Sequence, residues 1–279
     1  MSRRNSERMG SHATPTAPAP QSQFADFSFV VPTKFVSLPS EGKYYPEGHP
    51  LHNKDVIEIK HMTAKEEDIL TSKALLSKGI AVDRVLQNVI VDPAISLDTL
   101  LAGDKNAITI ALRAVSYGAD YETKVDCPSC STSVTYSFDL DNPIVNHGEA
   151  LEIYDIKYNG NGTFDVVLPI TNITTTFRLL TSKDESNIVK KILKSNNGVE
   201  NNITEQLSTM VVAFNGETDQ NTIRYVIDKL PSMDSIRIRT AYRFVNPTVE
   251  LNQKFECSNC GYEAEMEVPL TADFFWPQR

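Results

Sequence analysis

The sequence predicts an α+β fold made of two pseudo-repeated halves, each with a strand, capped helices and a β-hairpin that carries a C-x-x-C motif. Three observations lead to this prediction: strand-like runs in which apolar and polar residues alternate, helical runs that begin at polar caps, and two cysteine pairs set between strand-like runs. The 279 residues are 41% hydrophobic and 23% charged, enough to bury a sizeable core.

Residues 1–27 are predicted to form a flexible N-terminal arm. Ser, Pro, Ala and Gln dominate this stretch, and bulky apolar residues are few. Such a segment cannot bury enough surface to offset the entropy lost on ordering. Two interpretations stay open: a solvated tail without a role, or an arm that becomes ordered on the surface of a partner.

The first half is predicted over residues 28–145. Prolines and glycines exclude a helix from "FSFVVPTKFVSLPSEGKYYPEGHPL", and "DVIEIKHM" alternates as a strand does. The run "TAKEEDILTSKALLSKG" predicts a helix, with Thr63 and Glu66 as a capping box and Gly79 as its stop. Short helices are expected at "VDRVLQNVIV" and "SLDTLLAG" and a longer one at "DKNAITIALRAVSYG", before the first cysteine hairpin.

The second half is predicted over residues 146–279, and its elements follow the same order. "TTTFRLL" is strand-like and leads into the helical run "TSKDESNIVKKILKS", where Thr181 and Asp184 give a second polar cap. Helices are then expected at "ITEQLSTMVVAF", "QNTIRYVIDKL" and "MDSIRIRTAYRFV", followed by the second cysteine hairpin.

Two constant offsets support an internal duplication. The helix caps are 118 positions apart, from Thr63 to Thr181. The cysteine segments are 130 positions apart, and within that window Arg113 aligns with Arg243 and Leu140 with Leu270 without a gap. The overall identity of the halves is low, so chance agreement remains the alternative to duplication.

The chain contains four cysteines, and they form two C-x-x-C pairs: Cys127, Cys130, Cys257 and Cys260. A structural zinc ion takes four thiolates in a tetrahedron, and each pair would supply two from one tight turn. We therefore predict one structural zinc per chain, shared by the two hairpins. A redox pair of thioredoxin type and four unliganded, buried cysteines are the alternatives.

Composition and motifs argue against several other functions. The net charge of −9, with scattered lysines, argues against nucleic-acid binding. No apolar run reaches the length of a membrane span, and the N-terminus lacks the apolar core of a signal peptide. No nucleophile–base constellation or phosphate-binding loop is present, so we expect no enzymatic activity.

Two aromatic clusters are candidate partner contacts. Tyr44 and Tyr45 lie in "GKYYPEG", and Phe274, Phe275 and Trp276 lie in "DFFWPQR" at the C-terminus. Aromatic residues are common anchors at protein interfaces. They can equally dock into a groove of their own chain, and both interpretations are kept.

The sequence resembles the baseplate hub subunit, or hub assembly protein, family of T-even-like contractile-tailed bacteriophages. Five segments carry the resemblance, from about residue 35 to the C-terminus: "LPSEGKYYPEG", "MTAKEEDIL", "GDKNAITIALRAVSYGADYE", "CPSC" and "DFFWP". The arm lies outside it.

The resemblance implies a protein that builds or completes the central baseplate of the tail and is assembled in the host cytoplasm. Its expected partners are other baseplate and hub proteins, next to the tail spike and the ends of the tape measure. The alternative is a dissociable chaperone for hub or tape-measure assembly that is absent from the mature virion. Reduced thiols in the cytoplasm would favour zinc over a disulfide.

Overall fold

A computed structural model describes residues 30–148, 151, 154–194, 202–268 and 272–275. These residues form an α+β fold in which eight helices are combined with five small antiparallel sheets. The arm predicted over residues 1–27 lies outside the described residues, as does Trp276.

The first elements are a two-stranded sheet followed by helices. They are β1 (Thr33–Ser37), β2 (Val56–Lys60), α1 (Ala64–Thr71), α2 (Lys73–Leu76), α3 (Ala81–Val89), a 3-10 turn (Leu97–Thr99) and α4 (Ala102–Tyr117). Strand β1 pairs with β2 so that Thr33 lies opposite Lys60. The long, turn-rich β1–β2 connection packs Leu38, Tyr45 and Leu51 into the core.

The capping box predicted at the start of α1 is present. The Glu66 carboxylate accepts a hydrogen bond from the Thr63 amide at 3.1 Å, and the Thr63 hydroxyl accepts from the Glu66 amide. The single helix predicted from this cap is interrupted: Ser72 is extended, with φ −68° and ψ 107°, and separates α1 from α2. In the segment "SLDTLLAG", predicted to be a short helix, Leu97–Thr99 form the 3-10 turn and the last two residues already belong to α4.

The first cysteine hairpin follows α4 directly. It consists of β3 (Asp120–Asp126) and β4 (Ser133–Asp139), with Asp120 opposite Asp139. Buried and exposed residues alternate strictly along β3, as expected for a sheet with one solvated face.

The central part of the chain forms a four-stranded sheet with the order β6-β7-β8-β9. Its strands are β6 (Lys157–Tyr158), β7 (Thr163–Val167), β8 (Thr174–Arg178) and β9 (Val211–Phe214). Helices α5 (Ser182–Lys194) and α6 (Asn202–Met210) lie between β8 and β9 in the sequence.

The prediction of a helix over "ITEQLSTMVVAF" is wrong for the last four residues. They form β9, which pairs with β8 so that Phe177 lies opposite Val211. The β-branched Val211 and Val212 favour a strand, and the open edge of β8 supplies the hydrogen bonds that a helix would otherwise provide.

The remaining elements complete the second cysteine hairpin. They are α7 (Gln220–Asp228), α8 (Ser232–Val245), β10 (Thr248–Glu250), β11 (Asn252–Glu256), β12 (Glu263–Glu267) and a 3-10 turn (Ala272–Phe275). Strand β10 pairs with β5 (Ile144–Asn146), which joins segments about a hundred residues apart in sequence. Gly103 lies under this ribbon, where a Cβ atom would overlap the carbonyl oxygen of Pro247.

Candidate metal centre

Each cysteine pair lies in a tight turn at the tip of its hairpin. In the first turn, the Ser131 amide donates to the carbonyl oxygen of Cys127 at 2.9 Å; in the second, the Gly261 amide donates to that of Cys257 at 2.9 Å. Ser131 and Gly261 both have positive φ, 56° and 68°. The two turns therefore share one backbone conformation, which directs both cysteines of a pair to the same side of the turn.

The two hairpins bring all four sulfur atoms together. The Sγ atoms of Cys127 and Cys260 are 3.7 Å apart, and those of Cys130 and Cys257 are 3.8 Å apart. All four lie within 4.8 Å of one another. These separations are too long for disulfide bonds, which hold sulfur atoms about 2 Å apart.

The same separations fit a tetrahedral zinc ion. Four sulfur atoms at a Zn–S distance of about 2.3 Å lie roughly 3.8 Å from one another. The residues present therefore match a Cys₄ site in donor type, number and spacing. Four thiolates would close the coordination shell, which is the arrangement of a structural site and leaves no position for a substrate.

Neighbouring groups stabilise negative charge on part of the cluster. Hydrogen bonds from the Thr132 hydroxyl and amide and from the Asn259 side chain lower the pKa of the Cys130 thiol to about 5. The pKa of Cys260 is raised to about 12: the Tyr262 amide acts to lower it, but desolvation and the neighbouring sulfur atoms outweigh that amide. A divalent cation would favour the thiolate form of every member of the cluster.

The hairpins also contact each other away from the cysteines. The Tyr136 hydroxyl donates to the carbonyl oxygen of Lys254 at 2.7 Å, and the Tyr136 ring lies 5.3 Å from that of Phe255. The Gln253 side chain accepts from the Asp139 amide at 2.9 Å. Contacts along both strands therefore fix how the hairpins approach and hold the sulfur atoms in place.

The surroundings of the cluster include a residue that the sequence analysis missed. Asn259 Nδ2 donates to Cys130 Sγ at 3.6 Å and to Thr132 Oγ1 at 3.2 Å, so it links the two turns. The position of Asn259 inside C-S-N-C could have predicted this contact, because a side-chain amide in such a turn can donate a hydrogen bond to the opposite cysteine pair.

The aromatic candidates lie largely inside the fold. Tyr45, Phe274 and Phe275 are buried, and Tyr44 is half-buried against the rings of Tyr158 and Phe164. Burial of these three rings by their own chain favours the interpretation that they dock within the fold, and contact with a partner stays a prediction.

Specific hydrogen bonds hold two of these buried residues. The Tyr45 hydroxyl donates to Asp104 Oδ2 at 2.7 Å and accepts from the Leu101 amide at 3.0 Å. The carbonyl oxygen of Phe274 accepts from Arg113 Nε at 2.8 Å. Tyr45 and Phe274 thus each attach a chain segment to α4 of the same protein.

Comparison with known protein families identifies the family to which this sequence is related. The model of the T4 bacteriophage base plate protein family matches residues 31–276, which is most of the chain. The chain belongs to this family. The resemblance seen in the sequence is thus confirmed at the level of a T4-like phage base plate protein.

Membership of the base plate family identifies a structural component of the phage tail. No curated protein and no solved structure is significantly similar to the chain. Among the described residues, none of the helices combines the length and apolar character needed to cross a bilayer.

Proposed function

We propose that this base plate protein is a structural component of the central hub of a contractile tail and acts through protein–protein contacts. The observation that carries the proposal is the family match over residues 31–276. The cysteine geometry supports it, because a closed four-sulfur site stabilises a fold and provides no reactive position. Other hub proteins, the tail spike and the ends of the tape measure are the proposed partners.

We further propose that the chain consists of two duplicated halves, over residues 28–145 and 146–279. Strands β1 and β7 are both five residues long and begin 130 positions apart, at Thr33 and Thr163. Helices α4 and α8 begin at the same offset, at Ala102 and Ser232. The two cysteine pairs are also 130 positions apart.

The elements between these landmarks also correspond. Strands β2 and β8 have five residues each and begin 118 positions apart, and α1 and α5 begin at the same offset. Helices α3 and α6 have nine residues each and begin 121 positions apart. Chance agreement of this many starts and lengths in one order is improbable, which favours duplication.

The zinc ion is proposed to join the two halves through Cys127, Cys130, Cys257 and Cys260. Each half supplies one pair, and the sulfur separations suit a single tetrahedral ion. Because the pairs are far apart in sequence, binding one ion would close a long loop and stabilise the association of the hairpins.

The hub proposal is tested by affinity purification of the tagged chain from phage-producing cells, together with mass spectrometry of purified mature particles. We expect base plate proteins to be recovered with the chain and the chain itself to be present in the particles. Recovery of partners with the chain absent from particles would contradict a structural role and favour the dissociable chaperone.

A further inference from the structure

An apolar groove lies beside α4 in the first half. It encloses about 320 Å³, and its lining comes from β1, from α4 and from the β5–β10 ribbon. The lining residues include Lys34, Phe35, Ala107, Ala111, Ala114 and Val145. Phe35 is 65% exposed, although a phenylalanine gains most free energy when it is buried. Strand β1 pairs with β2 on one side, and no described strand pairs with its other edge, so the described residues leave the groove open.

In the second half, the matching surface is covered by the chain that directly precedes β7. Strand β6 pairs with β7, and the segment that leads into β6 crosses α8. The Tyr154 ring stacks on Phe244 with centroids 3.6 Å apart, and the Tyr154 carbonyl oxygen accepts a hydrogen bond from Arg237. Residues 154–158 therefore cover both the helix and the edge of the strand.

The helix positions that hold this covering segment have small counterparts in the first half. Arg237 and Phe244 correspond, at the offset of 130, to Ala107 and Ala114. Both alanines line the groove. The matching surface of α4 thus has more room above it than that of α8, and an aromatic ring is a group that would fill such a space.

The same offset relates the covering segment to residues 24–28, "FADFS", which directly precede the described residues. Tyr154 corresponds to Phe24, so both segments carry an aromatic residue nine positions before the first residue of the strand, Thr163 or Thr33. No phenylalanine, tyrosine or tryptophan precedes Phe24 in the chain. Aromatic residues therefore first occur where the counterpart of the covering segment begins.

The connection to the strand differs between the halves. In the second half, Gly160 and Gly162 have positive φ, 80° and 77°, in the turn between β6 and β7. Val30 and Pro32 stand at the matching positions, and the proline ring fixes φ near −65°, so the tight turn is not repeated. A wider reversal is compatible with the site, because the six residues before Val30 reach up to about 20 Å, more than the length of the five-residue β1.

We propose that residues 24–28 of this chain fill the groove, with the Phe24 ring packed on α4 at Ala111 and Ala114. The contact would be the counterpart of the stacking of Tyr154 on Phe244. This docking is inferred from the proposed duplication and does not depend on the role in the hub. It attaches the end of the N-terminal arm to the first half, and leaves residues 1–23 for contacts beyond the chain.

The first test is photo-crosslinking in the purified full chain, with p-benzoylphenylalanine in place of Phe24. An equal mixture of ¹⁵N-labelled and unlabelled chains separates crosslinks within one chain from crosslinks between chains. We expect crosslinks within one chain, mapped by peptide mass spectrometry to α4 or β1. The same probe at Ala13, earlier in the arm, is the negative control and should give at least about tenfold fewer of these crosslinks, because transient encounters lack the packing of a docked ring.

The same probe at Tyr154 is the positive control, since this ring lies on α8. Suppose that the Tyr154 probe reacts with α8 while the Phe24 probe reacts only between chains or outside the groove. The docking would then be overturned, and the correspondence of the two halves would stand.

A double-mutant cycle in thermal unfolding gives a second readout. Phe24→Ala should lower the Tm by about 2–4 °C or more, because a buried phenylalanine ring is lost. Met9→Ala, which removes another large apolar side chain of the arm, is the matched control and should leave the Tm unchanged.

The cycle is completed with Ala114→Glu, which places a carboxylate against the ring while keeping a good helix former. In that background Phe24→Ala should change the Tm by less than about 1 °C, because the contact is already lost. Equal losses in the two backgrounds, or no loss from Phe24→Ala alone, would contradict the docking.

Discussion

Asp104 and Asp234 occupy the same position in two helices that begin 130 residues apart. Each is the third residue of its helix, α4 or α8, and each has 0% of its surface exposed. Each carboxylate accepts three hydrogen bonds from the loop that follows a strand. The donors to Asp104 are Ser40 N, Ser40 Oγ and Tyr45 Oη, in the loop after β1. The donors to Asp234 are Ile170 N, Thr171 N and Thr171 Oγ1, in the loop after β7. One buried carboxylate thus ties a strand connection to a helix in each half.

Removing either carboxylate should destabilise the protein. Asp104→Ala and Asp234→Ala each leave several buried donors unpaired, at a cost of about 1–3 kcal/mol per group, so we expect losses of at least about 3 kcal/mol. Urea unfolding followed by circular dichroism measures the free energy of unfolding. The exposed Asp98→Ala is the control and should change it little. Losses below about 1 kcal/mol would show that the connections are held by other contacts.

The stabilisation by Asp104 should depend on pH. Burial raises the pKa of its carboxyl, and hydrogen bonds from Ser40 and Tyr45 oppose that shift only in part. A raised pKa means that the carboxyl binds its proton more tightly in the folded state than in the unfolded state. The contribution of Asp104 to stability is therefore greatest below its pKa in the unfolded chain, and it falls as the pH rises through its pKa in the folded protein. The difference in free energy of unfolding between wild type and Asp104→Ala should therefore shrink from pH 4 upward. A difference that grows with pH would contradict this.

Loss of one cysteine should disrupt zinc binding by both halves. We expect one zinc per purified chain by elemental analysis, and Cys257→Ser should lower zinc affinity more than about a hundredfold and reduce stability. Ser129→Ala, in the turn of the other pair, is the control and should keep the metal. Full zinc retention by Cys257→Ser would contradict a site shared between the hairpins.

The helix caps should contribute comparably in the two halves. Thr63→Ala and Thr181→Ala each remove a hydroxyl that accepts from the backbone of the first helical turn, at a cost of about 1 kcal/mol. Thr63→Ser and Thr181→Ser keep the hydroxyl and should be close to wild type in thermal unfolding. Equal stability of the alanine and serine variants would show that the caps are dispensable.

Gly103 should not tolerate a methyl group. Alanine normally stabilises a helix relative to glycine by about 1 kcal/mol. Here the added Cβ would overlap the carbonyl oxygen of Pro247, so Gly103→Ala should instead destabilise by about 1–3 kcal/mol. Asn106→Ala, in the same helix, provides the comparison in chemical denaturation. A stabilised Gly103→Ala would show that the β5–β10 ribbon can move away from α4.

Local signals in the sequence were sufficient for several elements. The Thr63–Glu66 cap, the helix α4 and the strands around Cys127 and Cys257 follow from residues within one or two turns of each other. Hydrogen bonds between near neighbours and a fixed apolar period determine such elements. The positions of the C-x-x-C turns could be predicted for the same reason.

The sequence by itself therefore determined the α+β class, the caps and the two cysteine turns. Only the tertiary structure decided that Val211–Phe214 is a strand, that β5 pairs with β10, and that Tyr45 and Phe274 are buried. Each of these depends on a partner far away in the chain: the edge of β8 for β9, the segment after α8 for β5, Asp104 for Tyr45 and Arg113 for Phe274. The free energy of such contacts is available only when distant segments meet, and a local pattern does not encode which segments will meet.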